Sequence, residues 1–177
     1  CLWEIYCAVT TGSKFEVAIT PDEYIAFVRG ITRNYGEFYQ MLADINVEKS
    51  EATNAIDKER IFDAVESSVG VAELNKMVIG KMEEWVITAI DESITEENVS
   101  ELEVWDRKLA KISLLYNMGS FSDALKISLE CLTDFHGVTD DKRLSKTYSS
   151  LGNVFDSKGD YDMAAKYYEM SLAIRLK

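Results

Sequence analysis

The sequence has little proline, cysteine and histidine, and each shortage excludes a class of protein. Pro21 is the only proline among 177 residues, which argues against a proline-rich, disordered chain. The three cysteines, Cys1, Cys7 and Cys131, are an odd number at spacings that match no zinc-binding pattern, and the single histidine, His136, completes none. We therefore expect no metal site and a reducing, cytoplasmic environment.

Positive charge is also scarce. Lysine and arginine number 19 against 31 aspartates and glutamates, which gives a net charge of −12. A nucleic-acid backbone or an anionic membrane surface would be repelled on average. No apolar run approaches the roughly 20 residues that span a bilayer, and the chain does not start with a basic region followed by an apolar one. The sequence predicts neither nucleic-acid binding nor membrane insertion.

Hydrophobic residues, in contrast, make up 47% of the chain, and part of them recur with a period. The stretch GSFSDALKISLECL (119–132) aligns with GDYDMAAKYYEMSL (159–172) at an offset of 40 residues, so that Ala124 matches Ala164 and Leu132 matches Leu172. Each copy follows an amphipathic stretch with apolar residues three and four apart. This pattern predicts two successive helix–turn–helix units, each an antiparallel pair of helices, in a mainly α-helical protein.

The second unit resembles a tetratricopeptide repeat (TPR). In this resemblance Gly152 and Ala164 let the two helices approach closely, Gly159 makes the turn, and aromatic side chains fill the space between the helices. The residues that match the signature positions of the family are Tyr148, Leu151, Gly152, Phe155, Ala164, Tyr168 and Ser171.

The first unit departs from that pattern. Lys111 and Ile112 stand where Leu and Gly are expected, and Ser128 stands where an aromatic residue is expected. We interpret it as a degenerate repeat. Its length exceeds the usual TPR length of about 34 residues, and in this it resembles the extended repeats of the kinesin-light-chain type. Because a solenoid end left apolar is poorly soluble, we expect further repeats beyond Lys177.

Upstream of residue 100 the pattern changes. The run KFEVAIT (14–20) predicts a buried strand, and DINVE (44–48) a second one. Helices are predicted at DEYIAFVRGI after Pro21, at DKERIFDAVESS, and over the long amphipathic stretch from Val71 to Ile94. The predicted domains are an α/β segment over 1–95, an acidic linker over 96–103, and the two repeats over 104–177.

The opening CLWEI resembles the Cys-Leu-x-Glu stretch of Toll/interleukin-1 receptor-like (TIR-like) domains, which have a flavodoxin-like α/β fold. That resemblance implies a catalytic role for Glu4, because in the enzymatic members a glutamate assists cleavage of NAD, where an anion stabilises oxocarbenium-like charge. The first strand of such a domain and its phosphate-contacting loop would lie before Cys1, and residues 1–177 contain no glycine-rich phosphate loop. We expect no turnover of NAD, and no cofactor, in this segment by itself.

Two functions follow from the two resemblances. The TPR resemblance implies a scaffold that binds peptides or helices of other proteins, with Lys146, Ser149, Asn153 and Asp156 on its inward face. Asn153 suits such a role because its amide offers both a donor and an acceptor to a peptide backbone. The alternative interpretation of these four residues is a solvated helix face. The other function is that of a TIR-like NAD hydrolase regulated by its repeats. Self-association and membership of a larger complex also stay open.

Overall fold

A computed structural model describes residues 2–13, 16–46, 49 and 55–177 of the chain. The described part is mainly α-helical. In chain order its helices are α1 (Leu2–Thr11), α2 (Pro21–Arg33), α3 (Tyr35–Ala43), α4 (Ala55–Glu66), α5 (Val71–Ile94), α6 (Glu101–Asn117), α7 (Phe121–Asp134), α8 (Asp141–Ser157) and α9 (Tyr161–Arg175). This confirms the helices predicted after Pro21, around residues 57–66 and over 71–94.

The predicted strand at 14–20 is wrong for the part that the structure describes. Residues 16–20 form no regular structure, and Ile19 is 36% exposed. A strand needs a partner for its backbone groups, whereas the end of this run serves α2: the Thr20 N–H donates to Glu23, and the Glu23 N–H donates to Thr20 Oγ1, which is a reciprocal cap. Lys14 and Phe15 lie outside the described residues.

The second predicted strand, at 44–48, is likewise not formed over its described part. Asp44 lies in a turn, and residues 45 and 46 have no regular structure. The backbone N–H of Asp44 donates to the Gln40 carbonyl and that of Ile45 to the Leu42 carbonyl, so these groups continue the last turn of α3. Residues 47 and 48 lie outside the described residues. The described N-terminal half therefore shows helices without the predicted strands.

The chain divides into two compact units, one formed by residues 1–24 and 36–88 and the other by residues 25–35 and 89–177. In the first unit, Val65, Leu74 and Val78 are buried at the centre of an apolar cluster. Tyr6 packs against this cluster, and its hydroxyl donates to Ser68 Oγ over 3.1 Å. A core of this kind accounts for the apolar stripe along the first part of α5.

In the second unit, helices α6 to α9 form two hairpins. Trp105 near the start of α6 stacks on Phe135 just after α7, with ring centroids 4.7 Å apart, and Tyr116 near the end of α6 contacts Phe121 at the start of α7. These contacts make α6 and α7 antiparallel. In the second hairpin, Ser145 of α8 bonds to Ser171 of α9, and Phe155 stacks on Tyr167, so α8 and α9 are antiparallel as well.

The two hairpins are joined through their first helices. Trp105 Nε1 donates to Thr147 Oγ1 over 3.0 Å at a fully buried site, and the Tyr116 hydroxyl lies 2.9 Å from Ser157 Oγ. These pairs are 42 and 41 residues apart and occur in the same order along both helices, so α6 and α8 are parallel neighbours. Several residues of α6 and α7 are buried, and so are the residues 40 positions after them in α8 and α9. They are Trp105, Ile112, Leu114, Ala124 and Cys131.

Gly152 of α8 lies against the side-chain ring of Tyr168 of α9. A Cβ atom at this position would lie 2.5 Å from Cδ1 and Cε1 of Tyr168, a distance that real Cβ contacts do not reach. Ala164, on the facing helix, is 3% exposed. The structure thus has no room for a side chain at Gly152, and Ala164 is buried; their predicted role in bringing the two helices close together stays a prediction.

The acidic segment 96–103 contains a connection and the start of a helix. Residues 96–100 follow α5, and Ser100 caps α6 by accepting from the Glu103 N–H, while Glu103 accepts from the Ser100 N–H. These hydrogen bonds hold the pKa of Glu103 below its ordinary value. The acidic residues at 101 and 103 thus lie in the first turn of α6, where carboxylates interact favourably with the positive end of the helix dipole.

Candidate partner-binding groove

A groove of about 560 Å³ opens on the second unit. Helices α6 and α8 form its floor, the last residues of α9 lie on one side, and the end of α2 with the following Tyr35 lies on another. All of these elements belong to the same compact unit. The groove is thus built from the inner helices of both hairpins together with a segment that precedes the hairpins by about seventy residues.

Positive side chains dominate the charge of this groove. Its cations are Arg33, Lys142, Lys146 and Arg175, and its carboxylates are Asp106 and Asp141. Within the part of the chain that the structure describes, Arg33, Lys142 and Lys146 take part in no ion pair. In a chain of net charge −12, this is a local reversal of sign.

One of the two groove carboxylates is already neutralised. Arg143, at the start of α8, donates from Nε to Asp106 Oδ1 over 3.0 Å and from Nη2 to Asp106 Oδ2. This bidentate pair, together with Asp140, raises the pKa of Arg143. The pair also ties α8 to α6 across the groove floor. A ligand in the groove therefore meets four cations and one carboxylate, Asp141, to which no arginine of the described ranges is paired.

Arg175 is held in place by hydroxyl groups. Its Nη2 donates to Ser149 Oγ over 3.2 Å and to Ser171 Oγ over 2.8 Å. Ser171 is fully buried and also bonds to Ser145. This chain of hydroxyls fixes the guanidinium at the end of α9 without neutralising it, because a hydroxyl carries no charge.

Three of the four residues predicted for partner binding line the groove, namely Lys146, Ser149 and Asn153 of α8. Asp156 is exposed one turn further along α8. It lines neither this groove nor the smaller cavity beside it, and it lies near enough to Tyr168 to help raise the pKa of that phenol, after burial.

In the part of the chain that the structure describes, the side-chain amide of Asn153 is hydrogen-bonded through its oxygen but not through its nitrogen. The Tyr168 hydroxyl donates to Asn153 Oδ1 over 2.8 Å, which uses one of the two lone pairs that a peptide N–H could reach. Within the described residues, the amide nitrogen of Asn153 bonds to nothing. Asn153 can therefore donate to a ligand carbonyl, and its ability to accept is reduced.

The groove continues into a second, smaller cavity of about 120 Å³. Four residues line both spaces: Tyr35, Ser113, Ser150 and Asn153. The far wall of the smaller cavity is formed by Ile112, Tyr116 and Asn117 of α6. Tyr35, which is 41% exposed, thus stands where the two spaces meet.

Sequence reasoning missed Arg33 and Tyr35, which belong to the end of α2 and the start of α3. Val28 and Ile31, one turn earlier in α2, are 3% and 4% exposed. Their spacing of three, with Arg29 and Arg33 among the polar residues between and after them, is the signal of an amphipathic helix packed on another surface. It could have indicated that α2 packs against something, although not against which helices.

Glu4 lies in the first turn of α1 and is exposed. It lines neither the groove nor the smaller cavity. Among the described residues no three His, Cys, Asp or Glu side chains come together in a way that could hold a metal ion. No helix in the described ranges is both long and apolar enough to cross a bilayer.

Comparison of the chain with protein-family models, with curated proteins and with solved structures gives no match.

Proposed function

We propose that this protein is a protein–protein interaction module whose groove binds an acidic segment, extended or helical, of a partner protein. The observation that carries the proposal is the convergence of Arg33, Lys142, Lys146 and Arg175 on one groove of an acidic chain. Carboxylates of a partner segment would form charge-assisted hydrogen bonds there. Complementary charge also raises the rate of encounter and suppresses wrong partners.

The shape of the groove supports a peptide ligand. Its volume of about 560 Å³ falls within the range of about 300 to 1,000 Å³ found for ligand sites, and polar groups along α8 can meet a backbone. The inward-facing residues of α8 recur at spacings of three and four, so they present a continuous row along the helix. Such a row fits a linear segment better than it fits a compact metabolite.

We further propose that α6 to α9 are two TPR-like repeats of the extended, kinesin-light-chain type. The proposal is supported by the 40-residue equivalence of buried positions, by the left-handed turn glycines Gly119 and Gly159 at φ of 76° and 79°, and by the contact of Gly152 with Tyr168. We do not extend the proposal to NAD cleavage, because Glu4 is exposed and the strand expected after it is absent from residues 16–20.

The test is a binding measurement with model peptides. A fluorescein-labelled peptide of alternating Glu and Ser is expected to bind the chain at least about tenfold more tightly than its Lys–Ser counterpart, and to weaken as salt is added. The double substitution Lys142→Glu with Lys146→Glu is expected to lower the affinity for the acidic peptide by about tenfold or more.

The matched control is Lys126→Glu with Lys166→Glu. These lysines are exposed on α7 and α9 and line neither cavity, yet their replacement changes the net charge by the same amount. Equal losses in the two double variants would mean that net charge alone governs binding. That result, or a wild-type chain that does not distinguish the acidic from the basic peptide, would overturn the proposal.

A further inference from the structure

The smaller cavity differs in chemistry from the groove that it joins. None of its lining residues carries a charge; they are hydroxyl and amide residues with one aliphatic side chain, Ile112. At about 120 Å³ it has room for about four waters at roughly 30 Å³ each. A side chain of about four non-hydrogen atoms would fill the same space.

The hydrogen-bonding groups that face no partner in the protein form a complementary set. Asn117 Nδ2 donates to the Ser113 carbonyl over 2.9 Å, which leaves its Oδ1 as an acceptor. Asn153 Oδ1 accepts from Tyr168, which leaves Nδ2 as a donor. The Ser150 hydroxyl, in the described part of the chain, makes no hydrogen bond of its own. The cavity therefore offers an amide acceptor, an amide donor and the hydroxyls of Ser150 and Tyr35, for which the described residues provide no hydrogen-bond partner.

We infer that this cavity is a specificity pocket that binds the side chain of one asparagine of the bound segment. A carboxamide carries one acceptor oxygen and one NH₂ donor, so it can accept from Asn153 and donate to Asn117 at the same time. The inference rests on the proposed function, since the pocket adjoins the groove that would hold the segment. It adds that acidic residues occupy the groove while a neighbouring asparagine enters the pocket.

Other side chains fit this pocket less well. An aspartate has the size of asparagine but only acceptors, so its carboxylate would face the acceptor oxygen of Asn117. A leucine would leave the polar groups of Asn117, Asn153 and Ser150 unpaired, which is the usual basis of strong discrimination against an apolar isostere. An indole has nine ring atoms, more than twice the about four non-hydrogen atoms that a space of about 120 Å³ would take.

The experiment is a positional scan of the acidic Glu–Ser peptide, in which each Ser in turn becomes Asn, Asp, Leu or Trp. One register is expected to gain about fivefold to tenfold in affinity with Asn and not with the other three. In an Asn117→Leu variant, the ratio of affinities for the Asn and parent peptides is expected to fall to about one. In Ser122→Val, an exposed position on α7 outside both cavities, the ratio is expected to stay at its wild-type value.

A specificity switch gives a second readout. Asn117→Lys replaces the acceptor with a cation, so the preferred residue at the same register is expected to change from Asn to Asp. If the parent acidic peptide binds but no register prefers Asn, the inference about the pocket is wrong, whereas the proposed binding of acidic segments in the groove is retained. If the parent peptide does not bind at all, the proposed function fails and this inference fails with it.

Discussion

The two helical hairpins close their open ends, the ends away from the turns, with opposite chemistry. In the first, Trp105 stacks on Phe135 at a nearly parallel 8°, and Cys131 beside them is fully buried. Burial raises the pKa of the Cys131 thiol to about 12, so it behaves as a small apolar group. The residues 40 positions later are Ser145, Ser171 and Arg175, and they close the second hairpin with hydrogen bonds.

This difference leads to different expectations for the two open ends. The aromatic end of the first hairpin is closed by apolar side chains, and Trp105, Cys131 and Phe135 themselves do not line the groove. The polar end of the second hairpin buries less apolar area, but it delivers Arg175 and Ser149 to the groove wall. Under the proposed function we therefore expect the open end of the first hairpin to contribute mainly to stability and the open end of the second to contribute to binding.

The largest expected effect tests that division directly. Trp105→Ala removes a side chain that is 1% exposed and the hydrogen bond to Thr147, and is expected to lower the free energy of unfolding by about 3 to 5 kcal/mol. Arg175 is at the position equivalent to Phe135 in the other hairpin. Arg175→Ala is expected to lower the free energy of unfolding by less than about 1 kcal/mol and to lower the affinity for the acidic peptide. Urea unfolding followed by circular dichroism measures both.

Reversed outcomes would refute the comparison. If Arg175→Ala destabilised the chain as much as Trp105→Ala, the hydroxyl network would be an anchor too. If Arg175→Ala left peptide binding unchanged, the polar end would not be a recognition surface. Trp105→Phe is the milder companion variant, because it keeps a ring on Phe135 while it loses the bond to Thr147 and part of the buried volume.

The hairpins also differ where their helices cross. The second has Gly152 facing Tyr168, with no room for a Cβ. At the equivalent positions the first has Ile112 and Ser128, which are 1% and 0% exposed. Small and large side chains have changed places between the two helices. Volume-conserving exchanges are the ones that packed cores tolerate, so we expect the first hairpin to be a complementary solution of the same packing.

A double-mutant cycle checks this exchange. Gly152→Ile alone is expected to cost about 2 to 3 kcal/mol, because Tyr168 must leave its place. Adding Tyr168→Ser, which copies the first hairpin, is expected to recover at least half of that loss, with a coupling energy of about 1 kcal/mol or more. Additive effects of the two substitutions would show that the exchange is not compensatory. The control is Gly159→Ala, which strains only the turn at φ of 79°.

These contacts explain how far the sequence could be interpreted. The four C-terminal helices were predictable because each hairpin is local in sequence and its apolar spacing repeats after 40 residues. The groove was predictable only along α8, where Lys146, Ser149 and Asn153 follow one face of one helix. Arg33 and Tyr35 come from a segment about seventy residues upstream that shares no repeat register with α6 or α8, so periodicity carried no information about them.

The strand error has a different origin. Residues 14–20 are apolar and β-branched, which favours a strand, but strand propensity expresses packing against neighbours rather than a property of the run itself. The described residues provide no neighbouring strand, and Thr20 caps α2. Likewise, Ser128 and Ile112 each depart from the expected pattern, and a single position by itself could not indicate whether a departure on the other helix offsets it.

Buried serines give a smaller and sharper contrast. Ser171 bonds to Ser145 and Ser149 of the other helix, whereas Ser128 bonds only to the Ala124 carbonyl of its own helix. Ser171→Ala is expected to cost about 1 to 2 kcal/mol, since it leaves partner hydroxyls unsatisfied. Ser128→Ala is expected to change stability by less than about 0.5 kcal/mol, because the carbonyl keeps its helical bond. Equal costs would contradict the hydroxyl network as a link between helices.

The smallest expected effect concerns the N-cap of the first helix in each hairpin, which is Ser100 for α6 and Asp140 for α8. Asp140 accepts from the Arg143 N–H over 2.8 Å and from its guanidinium, and these bonds, the backbone one first, hold its pKa below the ordinary 3.8. A carboxyl whose pKa is lowered by folding stabilises the fold above its unfolded pKa, and that stabilisation is lost as the pH falls through its folded pKa. Asp140→Ser copies the first hairpin and keeps a good cap.

At neutral pH we expect Asp140→Ser to cost about 0.5 kcal/mol or less, the value of an exposed ion pair. The difference from wild type should shrink towards zero as the pH is lowered well below 3.8, where the wild-type carboxyl is protonated and no longer attracts Arg143. Glu103, whose pKa is also lowered, is common to both proteins and cancels in the comparison. Urea unfolding at the two pH values measures the difference. If the loss of unfolding free energy stays constant with pH, the aspartate stabilises α8 through its hydrogen-bond geometry and not through its charge. The Asp cap of α8 would then differ from the Ser cap of α6 only in shape.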